Sequence, residues 1–485
     1  MSQTGNEGNS ISTFIKGSSI LVLSNVCLKA INFFLLPLYT NNLTPSMIGI
    51  SDSITTLTGI ILPLLTMGLD SAYSAFYFEK ADNERPQKVF TTLSCTFAVL
   101  GCIPLLLMIV SPWISSALFH TTEYSYIVKF ALVSGTFNLW YLPYSLELRL
   151  QNKMFLYGLS NVIVSLSMVM LNVIFVSVLH MGEASLVLST MIVHIENTLI
   201  LAMFVKNRPR KKWFDHSLLL QMLTFALPLV PMTLMAWVLS LSDRYVLLHY
   251  HGNNSVGIYG ISLRFTNLLN VVISAVSTAY TTFAFSSKED KNSKKKYYYI
   301  YNIESIILIV ISFTIGLFGK EIILLMTNEA YDKAYVALRD LMFSQTFYAM
   351  TTIVGYGIYF EKKSIYSLAA VSAGAMLNLV MNFILIPKYG IAAAAFTTFA
   401  GYGLNYFLTL YFSEKMYPCE YGQDKVLISF VALYIISLAG SEKKLWIKFL
   451  IWSIGVVGMT VYYRILLKNI SIYVKTVLLH GKIRK

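Results

Sequence analysis

An all-α polytopic membrane protein is the fold class this sequence predicts, and three observations predict it. The chain is 56% hydrophobic with a mean hydropathy of +0.63, a composition that soluble domains do not have. Its apolar residues fall into about fourteen runs, each long enough to cross a hydrocarbon core of about 30 Å as a helix. Lysine and arginine alternate from loop to loop between those runs, as membrane orientation requires.

The runs lie near residues 14–38, 46–67, 89–111, 126–148, 155–179, 184–205, 217–241, 255–285, 297–318, 335–359, 364–386, 389–412, 424–440 and 445–465. The first ends in a polar turn, Thr40 to Pro45, and Gly49-Ile50 opens the second. Loops after even-numbered spans are basic. Lys80, Arg85 and Lys88 follow the second, Arg149 and Lys153 the fourth, and Lys206, Arg208, Arg210, Lys211 and Lys212 the sixth. Lys288 to Lys296 follow the eighth, Lys362 and Lys363 the tenth, and Lys415 and Lys425 the twelfth. The opposite loops hold Arg244, Lys320, Lys333, Lys388, Lys443 and Lys444. The positive-inside rule therefore puts the even loops and both termini in the cytoplasm. The polar stretch Met1 to Ser10 lacks the basic start and cleavage site of a signal peptide, so the first span is expected to stay attached. The tail from Leu466 to Lys485 alternates apolar and basic residues and is expected to lie along the cytoplasmic leaflet.

A weak internal repeat divides the spans. Gly49-Ile50 opens the second span and Gly257-Ile258 the eighth. Leu171 to Ile174, followed by Gly182 to Ser185, matches Leu377-Asn378, Asn382 to Ile386 and Gly390 to Ala394. Two parallel six-helix bundles follow, over residues 1–205 and 206–413, with two further spans and a basic tail in 414–485. Parallel halves place a substrate site between them.

The net charge of +13 would suggest nucleic acid in a soluble protein. Here the basic residues sit in short loops, so no nucleic-acid partner is expected. Cys27, Cys95, Cys102 and Cys419 form no C-x-x-C pair and suggest neither a disulfide framework nor a metal cluster. There is no P-loop, no H-E-x-x-H and no nucleophile elbow. No loop is long enough for an outer catalytic domain; the longest run from Ser111 to Glu123 and from Gly319 to Ala334. The chain is expected to move something rather than to act as an enzyme.

Charges inside the spans then carry the functional argument, because they are costly at membrane depth and default to a pathway or a partner. Lys29 lies mid-span in the first run without an acidic neighbour, and Arg264 lies well inside the eighth. They fall in different halves, and a cavity with a cation from each suits a pyrophosphate. Arginine offers a planar fork to phosphate oxygens, and lysine a point charge. Arg339 also lies in a span, but Asp340 follows it, so a structural pair and a ligand are equally open. Lys129, near an outer end, either touches substrate or snorkels, and Lys448 is expected to snorkel. The acidic residues Asp70, Glu147, Glu196 and Asp243 are candidates for coupling or gating. His194 and Glu196, two apart, do not share a helix face. Asp243-Arg244 is expected to close the seventh span at the outer edge, as an interfacial pair or a gate.

Three short patterns resemble those of the Wzx-type polysaccharide flippases. They are Leu36 to Thr40 with Leu43-Thr44-Pro45 and Gly49; Ser242 to Leu247 with Val256 to Tyr259; and Leu377-Asn378, Asn382, Leu385 to Ile391 and Ala393-Ala394. This resemblance implies the multidrug/oligosaccharidyl-lipid/polysaccharide (MOP) exporter superfamily, with alternating access between two six-helix bundles. It implies a polyprenyl-pyrophosphate-linked glycan as substrate, membrane lipids as surroundings, and a polysaccharide polymerase and export machinery as partners. It implies location in the cytoplasmic (inner) membrane and no cofactor, with proton or sodium coupling left open. A lipid II flippase and a cation-coupled multidrug exporter are the alternatives. The drug exporters of that superfamily characteristically carry an acidic residue in the first or seventh span, where this first span has Lys29.

Overall fold

The computed structural model describes residues 33–78, 84–288, 293–466 and 468. Among these, the regular elements are helices. Among the described residues, nine helical stretches are long and apolar enough to cross a membrane, and one of them, His216–Phe285, covers two expected spans. Helices also occupy the expected spans near 126–148, 335–359 and 389–412, as Ser125–Leu150, Tyr335–Val354 and Ile391–Met416. The first expected span lies mostly outside the described residues, which begin near its end with the helix Leu36–Asn42. The tail beyond Lys468 also lies outside them.

The chain forms two compact units. The first comprises residues 1–272, 327–331 and 378–394, and the second 273–326, 332–377 and 395–485. In the first unit the helix Pro45–Thr66 starts where Thr44 caps it: the Thr44 hydroxyl accepts from Met47 N at 3.3 Å. Pro45, which has no amide hydrogen to leave unpaired, fills the first helical position. Tyr73, Phe90, Leu93, Phe97, Leu139 and Met222 form one apolar cluster of this unit. Ile50, Ile54, Ile127, Val128 and Leu132 form another. Met154–Asn172 ends in a π-helical turn, Val173–Val178. The second unit is built on Ser293–Met326, Tyr335–Val354, Gln423–Gly440 and Leu445–Tyr462. Aromatic rings fill its core: Phe347 and Phe430 lie 4.3 Å apart, and Phe399 stacks on Tyr434 at 4.9 Å.

Several helices outrun their expected ends. Ser111–Phe119 is a helix rather than part of a long loop, and Ser293–Met326 likewise continues past Gly319. Asp243 and Arg244 do not end the helix. The helix runs on to Gly252, where φ of 71° and ψ of −178° break it. Polar groups end an apolar run in a hydropathy reading, but they do not end a helix when neighbouring side chains satisfy them. Asp243 is so satisfied: Tyr259 donates to its Oδ2 at 2.5 Å and Arg244 N to its Oδ1 at 2.8 Å. Lys448 does not snorkel. It is 1% exposed, and its Nζ lies 2.9 Å from both carboxylate oxygens of Glu321.

Candidate functional site

Within the first unit, two helices meet backbone to backbone. A Cβ on Gly49 would fall 1.9 Å from the Asn253 carbonyl oxygen, and a Cβ on Gly257 would fall 1.8 Å from that of Pro45. Glycine at both positions therefore allows the helix Pro45–Thr66 to touch the one that follows Gly252. The repeat noted above supplies both residues, so the two matched glycines sit opposite each other.

That crossing sets what comes one turn later. Residues three and four apart share a helix face. Asp52 is three residues after Gly49, and Gly260 is three after Gly257. The Asp52 carboxylate lies against the bare backbone of Gly260, where an added Cβ would meet its Oδ2 at 2.0 Å. Arg264, one further turn along, donates from Nη2 to Asp52 Oδ1 at 3.3 Å. Its guanidinium also lies over the Tyr39 ring, 5.8 Å from the centroid. Asn172 donates from Nδ2 to the Tyr39 hydroxyl at 2.9 Å. Asn172 is the last residue before the π-helical turn, a feature that often accompanies functional sites.

These side chains line a cavity of about 370 Å³. Phe33, Tyr39, Asp52, Asn172, Arg264 and Asn267 contribute to its wall, with Ser51, Thr55, Met168, Leu186 and Thr190. The hydroxyls of Ser51, Thr55 and Thr190 are bonded to main-chain carbonyls. Two buried polar atoms of the wall lack a partner among the described residues: Arg264 Nη1 and Asn172 Oδ1. A buried donor without a partner costs stability unless something else satisfies it. Chemically, the site presents a cation that is half neutralised, a carboxylate that could be displaced from it, and an amide and an aromatic face beside them.

The other expected site residues are distributed more widely. Lys29 lies outside the described residues. Lys129 is exposed, five residues into Ser125–Leu150. Arg339 belongs to the second unit, where its Nε donates to Asp340 Oδ1 at 2.9 Å and Tyr434 donates to the same oxygen at 3.0 Å. Arg244 donates to Thr56 Oγ1 at 3.0 Å, next to a cavity residue. Glu147 is fully buried and receives hydrogen bonds from Tyr73, Gln151 and Asn207, the last at 2.7 Å. Asp70 is half-buried in the first turn of Leu69–Tyr77. Glu196 accepts from Ser167 at 2.8 Å, whereas His194 meets Ser134 Oγ at 2.7 Å, so the two indeed face different ways.

Asp52, Tyr39 and Asn172 are not among the candidate site residues of the sequence, although Tyr39 falls in the first of the three patterns and Asn172 in the repeat. Asp52 had a signal: it is a carboxylate in an apolar run, spaced from Gly49 as Gly260 is from Gly257. It sits eight residues into Pro45–Thr66, and what marks it out is a partner 212 residues away.

The sequence model of the polysaccharide biosynthesis protein family matches residues 14–284. The MatE model matches residues 228–384. Among curated proteins, the chain is similar to an uncharacterized membrane protein, MJ1068, of Methanocaldococcus jannaschii. Identity is 26% over 240 residues, covering 48% of this chain and 46% of that protein. The match thus spans about half the length of that relative. Among solved structures it is similar to the lipid II flippase MurJ in an inward closed conformation, with a TM-score of 0.71 and 17% identity over 93% of this chain and 100% of that one. It is also similar to an inward-facing multidrug resistance MATE family transporter of the MOP superfamily, at 0.66 and 16% over 81% and 97%. A MOP superfamily transporter from Pyrococcus furiosus, described as having a binding pocket of reverse polarity, gives 0.57 and 16% over 88% and 97%. At such identities these likenesses establish a shared fold.

Proposed function

The chain belongs to the polysaccharide biosynthesis protein family, and from that membership we propose that it is a flippase for a polyprenyl-pyrophosphate-linked oligosaccharide. The glycan would be a repeat unit for a surface polysaccharide, carried from the inner to the outer leaflet of the cytoplasmic membrane. Both termini would face the cytoplasm, and halves 1–205 and 206–413 would alternate access, with 414–485 as an addition. A polysaccharide polymerase and export machinery would then act on the product.

The observation that carries this reading is the membrane-embedded cavity around Arg264. Its guanidinium offers a second arm, Nη1, that no group of the described residues occupies. A phosphate oxygen satisfies such an arm with a charge-assisted hydrogen bond. Asp52 keeps the arginine in place when no anion is present, and Lys29 is the second cation of the proposal. The Tyr39 and Phe33 rings provide apolar walls beside the charge.

The test is mass spectrometry of polyprenyl lipids from a strain lacking the protein, with an assay of which leaflet holds them. One pyrophosphate-linked oligosaccharide should accumulate on the cytoplasmic leaflet. Arg264→Ala and Lys29→Ala should each reproduce that accumulation at unchanged protein level. Unchanged export in both variants would remove the assignment of these two cations. A lipid profile identical to the parent strain would overturn the flippase reading. It would favour a cation-coupled exporter, for which Asp52 in the cavity and the MatE match argue. Raised sensitivity to cationic dyes would then be the confirming result.

A further inference from the structure

In the second unit, Glu304 lies in the helix Ser293–Met326 and is 6% exposed. Both of its carboxylate oxygens are closed off from solvent and have no hydrogen-bond partner among the described residues. Tyr280 is 2% exposed, and its hydroxyl has none either. The two groups are within electrostatic range of each other. Three buried polar atoms of these two side chains thus have no hydrogen-bond partner among the described residues.

Lys296, on the same helix, lies over the Phe283 ring, about 12 Å from Glu304 along the helix, and Lys288 donates to the Phe360 carbonyl oxygen at 3.0 Å. The other charged groups packed around this helix are engaged elsewhere. Arg339 packs on Gly316 and pairs with Asp340; Gly316 is about 18 Å from Glu304 at 1.5 Å per helical residue. Lys448 pairs with Glu321, farther still along the same helix. In the other direction, Lys294 lies over the Tyr417 ring, about 15 Å away along the helix by the same measure. Lys295 and Lys425 line a surface pocket with Glu420 and Asp424, and Glu414 faces those two carboxylates. The other titratable groups around Tyr280 are Tyr297, Tyr356 and Cys419, and phenols and thiols are ordinarily neutral at pH 7. The hydroxyl of Tyr301, one turn before Glu304, is bonded to that of Tyr406 at 2.6 Å.

A carboxylate removed from water with neither cation nor donor is among the costliest groups a protein can bury. A neutral carboxylic acid is far less so, and it can act as both donor and acceptor. We propose that Glu304 is a proton-binding site of the second unit: its carboxyl carries a proton while it is buried and exchanges it with water when the packing around it loosens. The inference does not depend on what the protein transports.

Infrared difference spectroscopy of the full chain in lipid nanodiscs tests it. At pH 7 in potassium chloride, the carbonyl stretch of a protonated carboxylic acid should be present. It should be missing from Glu304→Gln and shifted in Tyr280→Phe. The same band in Glu304→Gln as in the parent, or no such band in the parent, overturns the proposal. A band that vanishes when sodium replaces potassium makes Glu304 a sodium ligand and overturns it too. If Glu304→Gln does not fold, judged by its size-exclusion profile, Tyr280→Phe decides: an unshifted band overturns the proposal.

Discussion

Arg264 commits one arm of its guanidinium to Asp52 and has no partner for the other among the described residues, and in the second unit Lys448 shows what full commitment looks like. Its ammonium is buried and held by both oxygens of Glu321, whose side chain is 34% exposed. Removing one member of such a pair is not symmetric. Glu321→Ala leaves a buried cation alone, which costs toward the lower end of about 3–5 kcal/mol because water can reach the vacated side. Lys448→Met keeps the apolar stem and leaves a carboxylate that solvent can hydrate, so it should cost much less. The double variant should recover most of the loss. Thermal unfolding of the three variants in detergent gives the cycle, and an additive result would show that the pair is not coupled.

At the scale of elements, the crossing of Gly49 on Gly257 is the tightest constraint in the first unit. Neither position can take a Cβ without the helices separating. Gly257→Ala should destabilise by about 3 kcal/mol or more, the upper end for an overfilled core, and Gly49→Ala by a similar amount. Because either change opens the same contact, the two together should cost less than their sum. The fraction of monodisperse protein after heating measures this. The helices themselves were legible in the sequence, since length and hydropathy alone mark a span. Their ends were less so, because whether Asp243 stops a helix depends on Tyr259, which reaches it from the next one. The site divides in the same way. Arg264 stood out as a charge in an apolar run, whereas its partner lies 212 residues away and no local pattern announces such a pairing. Asp52 and Glu304 were passed over although both lie in apolar runs, and what distinguishes them is whom they meet. Asp52 meets a cation and Glu304 meets none.

For the whole molecule, loop charge gives an orientation that can be tested without knowing the substrate. With the native cysteines replaced by serine, Lys211→Cys should react with an impermeant maleimide only from the cytoplasmic side. Lys443→Cys should react from outside in intact cells. The reverse pattern would invert the orientation and put the basic loops on the outer face, against the positive-inside reading. The Gly49–Gly257 crossing also has a consequence in time. A ribosome adding about 5–20 residues per second needs about 10–40 s to pass from the first glycine to the second. For that interval the second helix is already made, but the backbone it must touch does not yet exist. Whatever receives the nascent chain has to shield Asp52 in the meantime, and the carboxylate gains its arginine only when the eighth span arrives.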